Sequence, residues 1–261
     1  HYACYPNFIR FFEGSPVCVP VQECDGFQYT PAAIREKITS RTRAILINSP
    51  SNPTGHLLSK DRMAQIASLG VPVISDEIYH GLVYEDQEHT ILEFTDNAFV
   101  LNGFSKSYAM TGWRLGYLIA PRAYIRPMQK IQQNLFISPN AFVQWAGVAA
   151  LGEAWPDVLR MRAIYNERRK FMIGRLREMG LGICVEPTGA FYVLGNIRSF
   201  SQDSYQTAFD ILKRAHVGVA PGVDFGRNAE GYLRFSYANS LENIREGMLR
   251  MERYLTECRE S

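Results

Sequence analysis

Lys106 is the residue of this sequence best suited to covalent chemistry. It follows the apolar run Ala98-Phe-Val-Leu101 and lies among small residues in Asn102-Gly-Phe-Ser-Lys106. Such a setting can keep an amine uncharged part of the time and ready to form an imine with a carbonyl. Ser105 beside it, and Arg114 in Ser107-Tyr-Ala-Met-Thr-Gly-Trp-Arg114-Leu-Gly116, are suited to a phosphate dianion. A second group is Ser75-Asp-Glu-Ile-Tyr79, where Asp76 and Tyr79 put an acid and a phenol at the end of the apolar run Val71-Pro-Val-Ile-Ser75. In open α/β sheets, ligands sit at the carboxyl ends of strands. A third is Asn48-Ser-Pro-Ser-Asn-Pro-Thr-Gly55, directly after another apolar run. Pro53 in the middle position excludes Asn52 as a glycosylation acceptor. Taken singly, each has a plainer reading: a chain reversal at 48–55, a solvated acidic loop at 75–79, and an exposed lysine at a helix start.

The elements that must position these residues alternate. Continuous apolar runs at Arg43–Asn48, Val71–Ser75, Ala98–Leu101 and Leu115–Ile119 read as buried strands. Between the first two, Ser59–Leu69 carries Met63, Ile66 and Ala67 at helical spacing, with Ser59 as N-cap and Gly70 as stop. This predicts an α/β fold with a mostly parallel sheet covered by helices. From Ser138 the character changes. Ala141–Leu151 and Pro156–Met179 read as helices, followed by strands at Ala190–Leu194 and Tyr232–Ser236 and helices at Thr207–His216 and Leu241–Cys258. The expectation is a large domain over 1–160 and a smaller α+β domain over 161–261.

Composition narrows the function. The 261 residues carry 28 Lys+Arg against 26 Asp+Glu, a net charge of +2, which gives no electrostatic footprint for nucleic acid. Arg168-Arg169-Lys170 reads as the solvated face of a helix. The five cysteines are odd in number and form no CxxC pair, so neither a disulfide framework nor a zinc site is expected, and a reducing cytoplasm is the default. No apolar run approaches the ~18 residues of a membrane span, and no secretory signal pattern is present. The five histidines (His1, His56, His80, His89 and His216) form no metal-ligand spacing, with His80 read as supporting Tyr79 or exposed. Trp113 and Trp145 are read as packing residues, Cys18 and Cys184 as buried groups in strand-like segments, and Gly195 and Gly222 as turn glycines.

The order NPTG, then D-x-x-Y, then S-K followed by R-x-G, resembles the class I/II aminotransferases, pyridoxal-phosphate enzymes of the aspartate-aminotransferase-like fold. The resemblance extends to Pro187-Thr-Gly-Ala-Phe-Tyr192 and Leu233-Arg-Phe-Ser-Tyr237. It implies that Lys106 forms the internal aldimine and moves the substrate proton, that Asp76 pairs with the pyridine nitrogen, and that Asn52 and Tyr79 bond the phenolic oxygen. It further implies that Ser105 and Arg114 hold the phosphate, Arg234 grips the substrate carboxylate with Asn52 beside it, and Tyr2 stacks on the cofactor. The implied reaction is a ping-pong exchange between an amino acid and a 2-oxo acid. The implied assembly is a homodimer, with no membrane or nucleic-acid partner.

Three departures stand out. Gly103 occupies a position where many relatives have Ser or Thr as a phosphate ligand. The stretch Gln132–Phe142 lacks the arginine of dicarboxylate-specific members, and Phe136 and Ile137 lean towards an apolar or aromatic substrate. Relatives also carry a segment ahead of the position of His1, including a glycine loop at a helix N-terminus that holds phosphate. A chain without it is expected to bind cofactor weakly or not at all and to be inactive by itself. Two other functions share these motifs: a carbon–sulfur β-lyase of the same fold, and an aminotransferase-like effector domain of a transcription regulator.

Overall fold

The computed structural model describes residues 1–260. In chain order the helices and strands are α1 (Tyr5–Phe11), α2 (Pro31–Lys37), β1 (Ile45–Asn48), α3 (Lys60–Ala67), β2 (Val73–Asp76), β3 (Ala98–Gly103) and β4 (Gly116–Ile119). These are followed by α4 (Arg122–Leu135), α5 (Ala141–Glu153), α6 (Trp155–Glu178), β5 (Tyr192–Asn196), α7 (Ser204–Ala215), β6 (Ala220–Pro221), β7 (Tyr232–Ser236) and α8 (Leu241–Glu260). They fall into two compact units. One contains residues 28–50 and 57–162, the other residues 1–27, 51–56 and 163–260. We call them the sheet unit and the terminal unit.

The sheet unit is built on the order β1-β2-β3-β4. β1, β2 and β3 run parallel, with Ile45 opposite Val73 and Val73 opposite Ala98. β4 returns antiparallel to β3, with Gly103 opposite Gly116. Ile45, Ile47, Val73, Ala98 and Val100 are buried, as continuous apolar runs in a covered sheet require, but β4 is not the buried strand expected, since Tyr117 and Ile119 are exposed. α3 covers this sheet with Met63 and Ile66, both fully buried. Its N-cap is Ser59, whose hydroxyl accepts the Arg62 N–H at 3.4 Å.

The terminal unit carries a three-stranded antiparallel sheet in the order β5-β7-β6. α8 buries Ile244, Met248, Met251 and Leu255 at three- and four-residue spacing, the stripe of an amphipathic helix. α7 starts at Asp203, whose carboxylate accepts the Gln206 N–H at 2.9 Å.

Several sequence expectations are corrected. The Arg168–Lys170 cluster is not uniformly solvated, because Arg169 is fully buried. Its Nη1 donates to the Pro187 carbonyl at 2.7 Å and its Nε to Asn166 Oδ1 at 3.0 Å, which offsets the cost of removing a guanidinium from water. Cys18 and Cys184 are exposed and lie outside the strands. Trp113 is 47% and Trp145 75% exposed in this chain, so neither is a core packing residue. Gly195 lies inside β5, opposite Leu233, and is no turn residue. Helices α1, α2 and α4 were not anticipated. The first two are seven-residue helices that begin at a proline or just before one. α4 contains Pro127, an internal residue that ordinarily reads as a helix breaker.

Among the described residues no helix is long and apolar enough to cross a membrane, and no cluster of His, Cys, Asp or Glu could hold a metal ion.

Candidate active site

In the sheet unit the chemistry gathers at the carboxyl ends of β2 and β3, which lie side by side with Asp76 opposite Leu101. Asp76 is the last residue of β2. Its Oδ1 accepts the Ile78 N–H at 3.1 Å, and its carbonyl accepts from the Ser49 N–H at 3.1 Å and from Asn48 Nδ2 at 2.9 Å. Tyr79, three residues on, is buried at 3% exposure. Lys106 follows β3, and its Nζ lies 5.9 Å from the centroid of the Tyr79 ring. The acid, the phenol and the amine therefore share one end of one sheet.

The chain between β3 and β4 forms a closed excursion that carries the remaining groups. The Phe104 N–H donates to Leu115 O at 3.2 Å, and the Met110 N–H returns to Phe104 O at 3.1 Å. Inside it, the Thr111 hydroxyl donates to Ser105 O at 2.8 Å, and Arg114 Nη1 donates to Thr111 O at 2.9 Å. Ser105 and Arg114 are thus joined through one threonine. Arg114 adopts a left-handed conformation (φ 57°) and leaves its guanidinium exposed.

Gly103 has a physical reason to be glycine. A Cβ there would lie 2.9 Å from Gly116 Cα and 3.0 Å from Leu115 O, so a serine at this position would collide with β4.

Behind Asp76 and Tyr79 lies a support that sequence reasoning missed. Glu77 is 2% exposed, and its Oε1 accepts three bonds: from Ser75 Oγ at 2.9 Å, Thr90 Oγ1 at 3.1 Å and the Ile91 N–H at 3.0 Å. Burial pushes this carboxyl above its ordinary range, against the opposing effect of those three donors. Its Oε2 lies 3.5 Å from Nδ1 of the half-buried His80, whose pKa burial lowers. The His80 carbonyl in turn accepts a short hydrogen bond from the Ser107 hydroxyl, next to Lys106. Burial continues to alternate past the end of β2: Ser75, Glu77 and Tyr79 are buried, and Asp76 and Ile78 are half-buried.

In the terminal unit, Arg234 lies on β7 and donates from Nη1 to Asn52 Oδ1 at 2.9 Å. Its Cζ lies 4.5 Å from the Tyr192 ring centroid and 4.7 Å from that of Phe225. Among the described residues, the buried Nε of Arg234 meets no hydrogen-bond acceptor. The Asn52 loop is held by Gly55, at φ +71°, whose carbonyl accepts the Gly189 N–H at 2.8 Å. A Cβ on Gly55 would lie 2.6 Å from Tyr192 O. His56 closes the loop, with Nδ1 2.9 Å from Thr54 O and Nε2 3.2 Å from Val185 O. Tyr2 packs edge-on against Tyr5 at 5.4 Å and is 37% exposed.

Asp76, Tyr79, Ser105, Lys106 and Arg114 thus belong to one unit, and Tyr2, Asn52 and Arg234 to the other. Tyr192 and Phe225 went unrecognised because no motif spacing links them to Arg234; only strand pairing does.

Comparison with known proteins identifies the family of the chain. A family model for aminotransferase class I and II matches residues 1–250. The chain is 40% identical to the (5-formylfuran-3-yl)methyl phosphate transaminase of Methanocaldococcus jannaschii, over 97% of this chain and 66% of that protein. It is 41% identical to an aspartate aminotransferase of Pyrococcus horikoshii, over 97% and 67%. The solved aromatic aminotransferase of Pyrococcus horikoshii superposes with a TM-score of 0.89 at 42% identity, over 94% of this chain and 68% of that one. The chain spans about two thirds of the length of these relatives. It belongs to the aminotransferase class I and II family.

Proposed function

We propose that the chain supplies most of the catalytic groups of a pyridoxal-phosphate-dependent aminotransferase that exchanges an amino group between an amino acid and a 2-oxo acid. The observation that carries this reading is the grouping of Asp76, Tyr79 and Lys106 at one sheet end, with Lys106 Nζ 5.9 Å from the Tyr79 ring. The donor set fits the cofactor group by group. A carboxylate suits a cationic ring nitrogen, a phenol suits a ring oxygen, an amine suits an aldehyde, and a hydroxyl with a guanidinium suits a phosphate.

When bound, the cofactor supplies an electron sink for the bonds at the amino acid's α-carbon. The protein's part is positioning and proton movement. Asp76, whose Oδ1 accepts the Ile78 N–H, would face the ring nitrogen, since a carboxylate there favours the protonated ring. Tyr79 offers its hydroxyl to the ring oxygen. Ser105 and Arg114, spaced by Thr111, take the phosphate. Lys106 would hold the cofactor through its amine and, when that amine is free, would carry the proton taken from the substrate's α-carbon.

Arg234 is read as the partner of the substrate's α-carboxylate, a group common to all amino-acid donors. With Nη1 engaged by Asn52, the rest of its fork is the part that meets an anion. The absence of arginine from Gln132–Phe142 argues for an apolar or aromatic donor over a dicarboxylate.

The test is borohydride reduction of the protein in the presence of pyridoxal phosphate, followed by peptide mapping. The label is expected on Lys106. A label on another lysine, or none on a folded protein that shows cofactor absorbance, would overturn the assignment.

A further inference from the structure

We propose that Tyr192 and Phe225 are positioning residues that hold the guanidinium plane of Arg234, and so set the direction from which it receives a carboxylate. The inference rests on the carboxylate-binding role proposed above for Arg234. It adds the device that makes a long, flexible side chain act as a fixed clamp.

The device follows from strand order. β7 is the central strand, with β5 on one side and β6 on the other. Arg234 pairs with Leu194 of β5 and with Ala220 of β6. Tyr192 lies two residues from Leu194, which makes it the diagonal neighbour of Arg234 on the same sheet face, within reach of an aromatic ring. Phe225 ends the helical turn Gly222–Phe225 that leaves β6. Each flanking strand therefore delivers one ring, at 4.5 and 4.7 Å from the Arg234 Cζ. Both rings are themselves anchored in the core, at 7% and 6% exposure, so they do not follow the arginine if it moves.

Hydrogen bonding alone does not fix this side chain. Asn52 holds only Nη1, and among the described residues no acceptor meets the buried Nε. A single bond leaves the guanidinium able to pivot, and an arginine that pivots loses the two-pronged geometry that distinguishes it from lysine. Ring faces attract a guanidinium without using any of its N–H donors. They restrict the plane and leave the donors for the substrate.

The claim is read in the arginine Nε–H region of a proton–nitrogen correlation spectrum of the protein, with the Arg234 signal identified by its loss in Arg234→Lys. In the unmodified protein that signal is expected to be shifted by ring currents and to exchange slowly with water. Finding it at the ordinary, fast-exchanging arginine position overturns the proposal without any aromatic variant. Phe225→Leu is expected to move the signal and to raise KM for the amino donor about tenfold with kcat changed much less. If Phe225→Leu does not fold, Phe225→Met removes the ring at similar volume and reads the same quantities. A Phe225 variant with unchanged KM, alongside an Arg234→Lys variant whose KM rises, refutes the positioning role alone. An Arg234→Lys variant with unchanged KM refutes the carboxylate reading and the positioning role together.

Discussion

At the scale of single residues, the most informative position is one where the sequence departs from its relatives. Gly103 looks at first like a lost phosphate ligand. The structure shows instead a backbone contact, since a Cβ would meet Gly116 Cα at 2.9 Å and Leu115 O at 3.0 Å. Both obstacles are main chain of the hydrogen-bonded β3–β4 pair, so neither can swing aside as a side chain would. Gly103→Ser is therefore expected to cost about 1–3 kcal/mol, the usual range for overpacking a filled site. It should lower the melting midpoint and weaken pyridoxal-phosphate binding, because the strain falls on the loop that carries Ser105 and Lys106. A variant that binds cofactor more tightly would show that the position tolerates the hydroxyl after all. The catalytic types themselves were legible in the sequence, because amine, acid, phenol and guanidinium chemistry depends on residue identity. What gives Gly103 its meaning, the partner strand, was not.

At the scale of elements, the turn after β2 depends on Glu77. One oxygen accepts from Ser75, Thr90 and Ile91, and so ties the end of the strand to the helical turn Ile91–Glu93. Glu77→Leu would strand those donors and is expected to cost about 2–4 kcal/mol. Glu77→Gln can keep the accepting oxygen in place and should cost far less. The pH dependence separates the two further. Burial raises the folded-state pKa of Glu77, so its contribution is fully present below the ordinary carboxyl value of 4.5 and is lost as pH rises through the folded value. Glu77→Gln has no such loss, so its stability relative to the unmodified protein should improve from pH 4 to pH 8 in denaturant titrations. A relative stability that is flat or falls over that range would place the native proton elsewhere. The strands β1, β2, β3, β4, β5 and β7 were visible in the sequence as short apolar runs, and helices α3, α5, α6, α7 and α8 as longer segments with helical spacing or caps. Helix α4 was not, since Pro127 interrupts the signal while the surrounding turns persist. The Glu77 network escaped for a related reason: an acid after a strand reads as solvated until its donors, on a distant turn, are in view.

At the scale of the whole molecule, one buried and one half-buried histidine set how the chain responds to acid. His56 belongs to the terminal unit and His80 to the sheet unit, and burial lowers the pKa of both. The nitrogens of His56 face the carbonyl oxygens of Thr54 and Val185, which favour its cation, as to a smaller extent does Glu23. Desolvation outweighs these contributions, so the neutral ring is the native form. Protonation in acid therefore favours the unfolded chain, which accepts the proton near 6.5. Stability from this source is complete above 6.5 and is lost as pH falls towards the folded-state value. Carboxylates that the fold favours as anions extend the same slope to lower pH. For Glu23, burial acts upwards, but the hydrogen bonds from Tyr232 and Asn196 outweigh it and leave the pKa below 4.5. For Glu230 burial likewise acts upwards, but hydrogen bonds from Ser204 and Gly231 together outweigh it and leave the pKa below 4.5. Glu77 alone among these groups opposes the trend. The melting midpoint is thus expected to climb between pH 4 and pH 7 and then level off. In calorimetric scans, His56→Gln should flatten the upper part of that rise, between about pH 5 and 7, and leave the carboxylate part below it intact. An unchanged upper slope in His56→Gln would assign the acid response to His80 and the sheet unit, and would mean that the imidazole between Thr54 and Val185 keeps its proton in the folded chain.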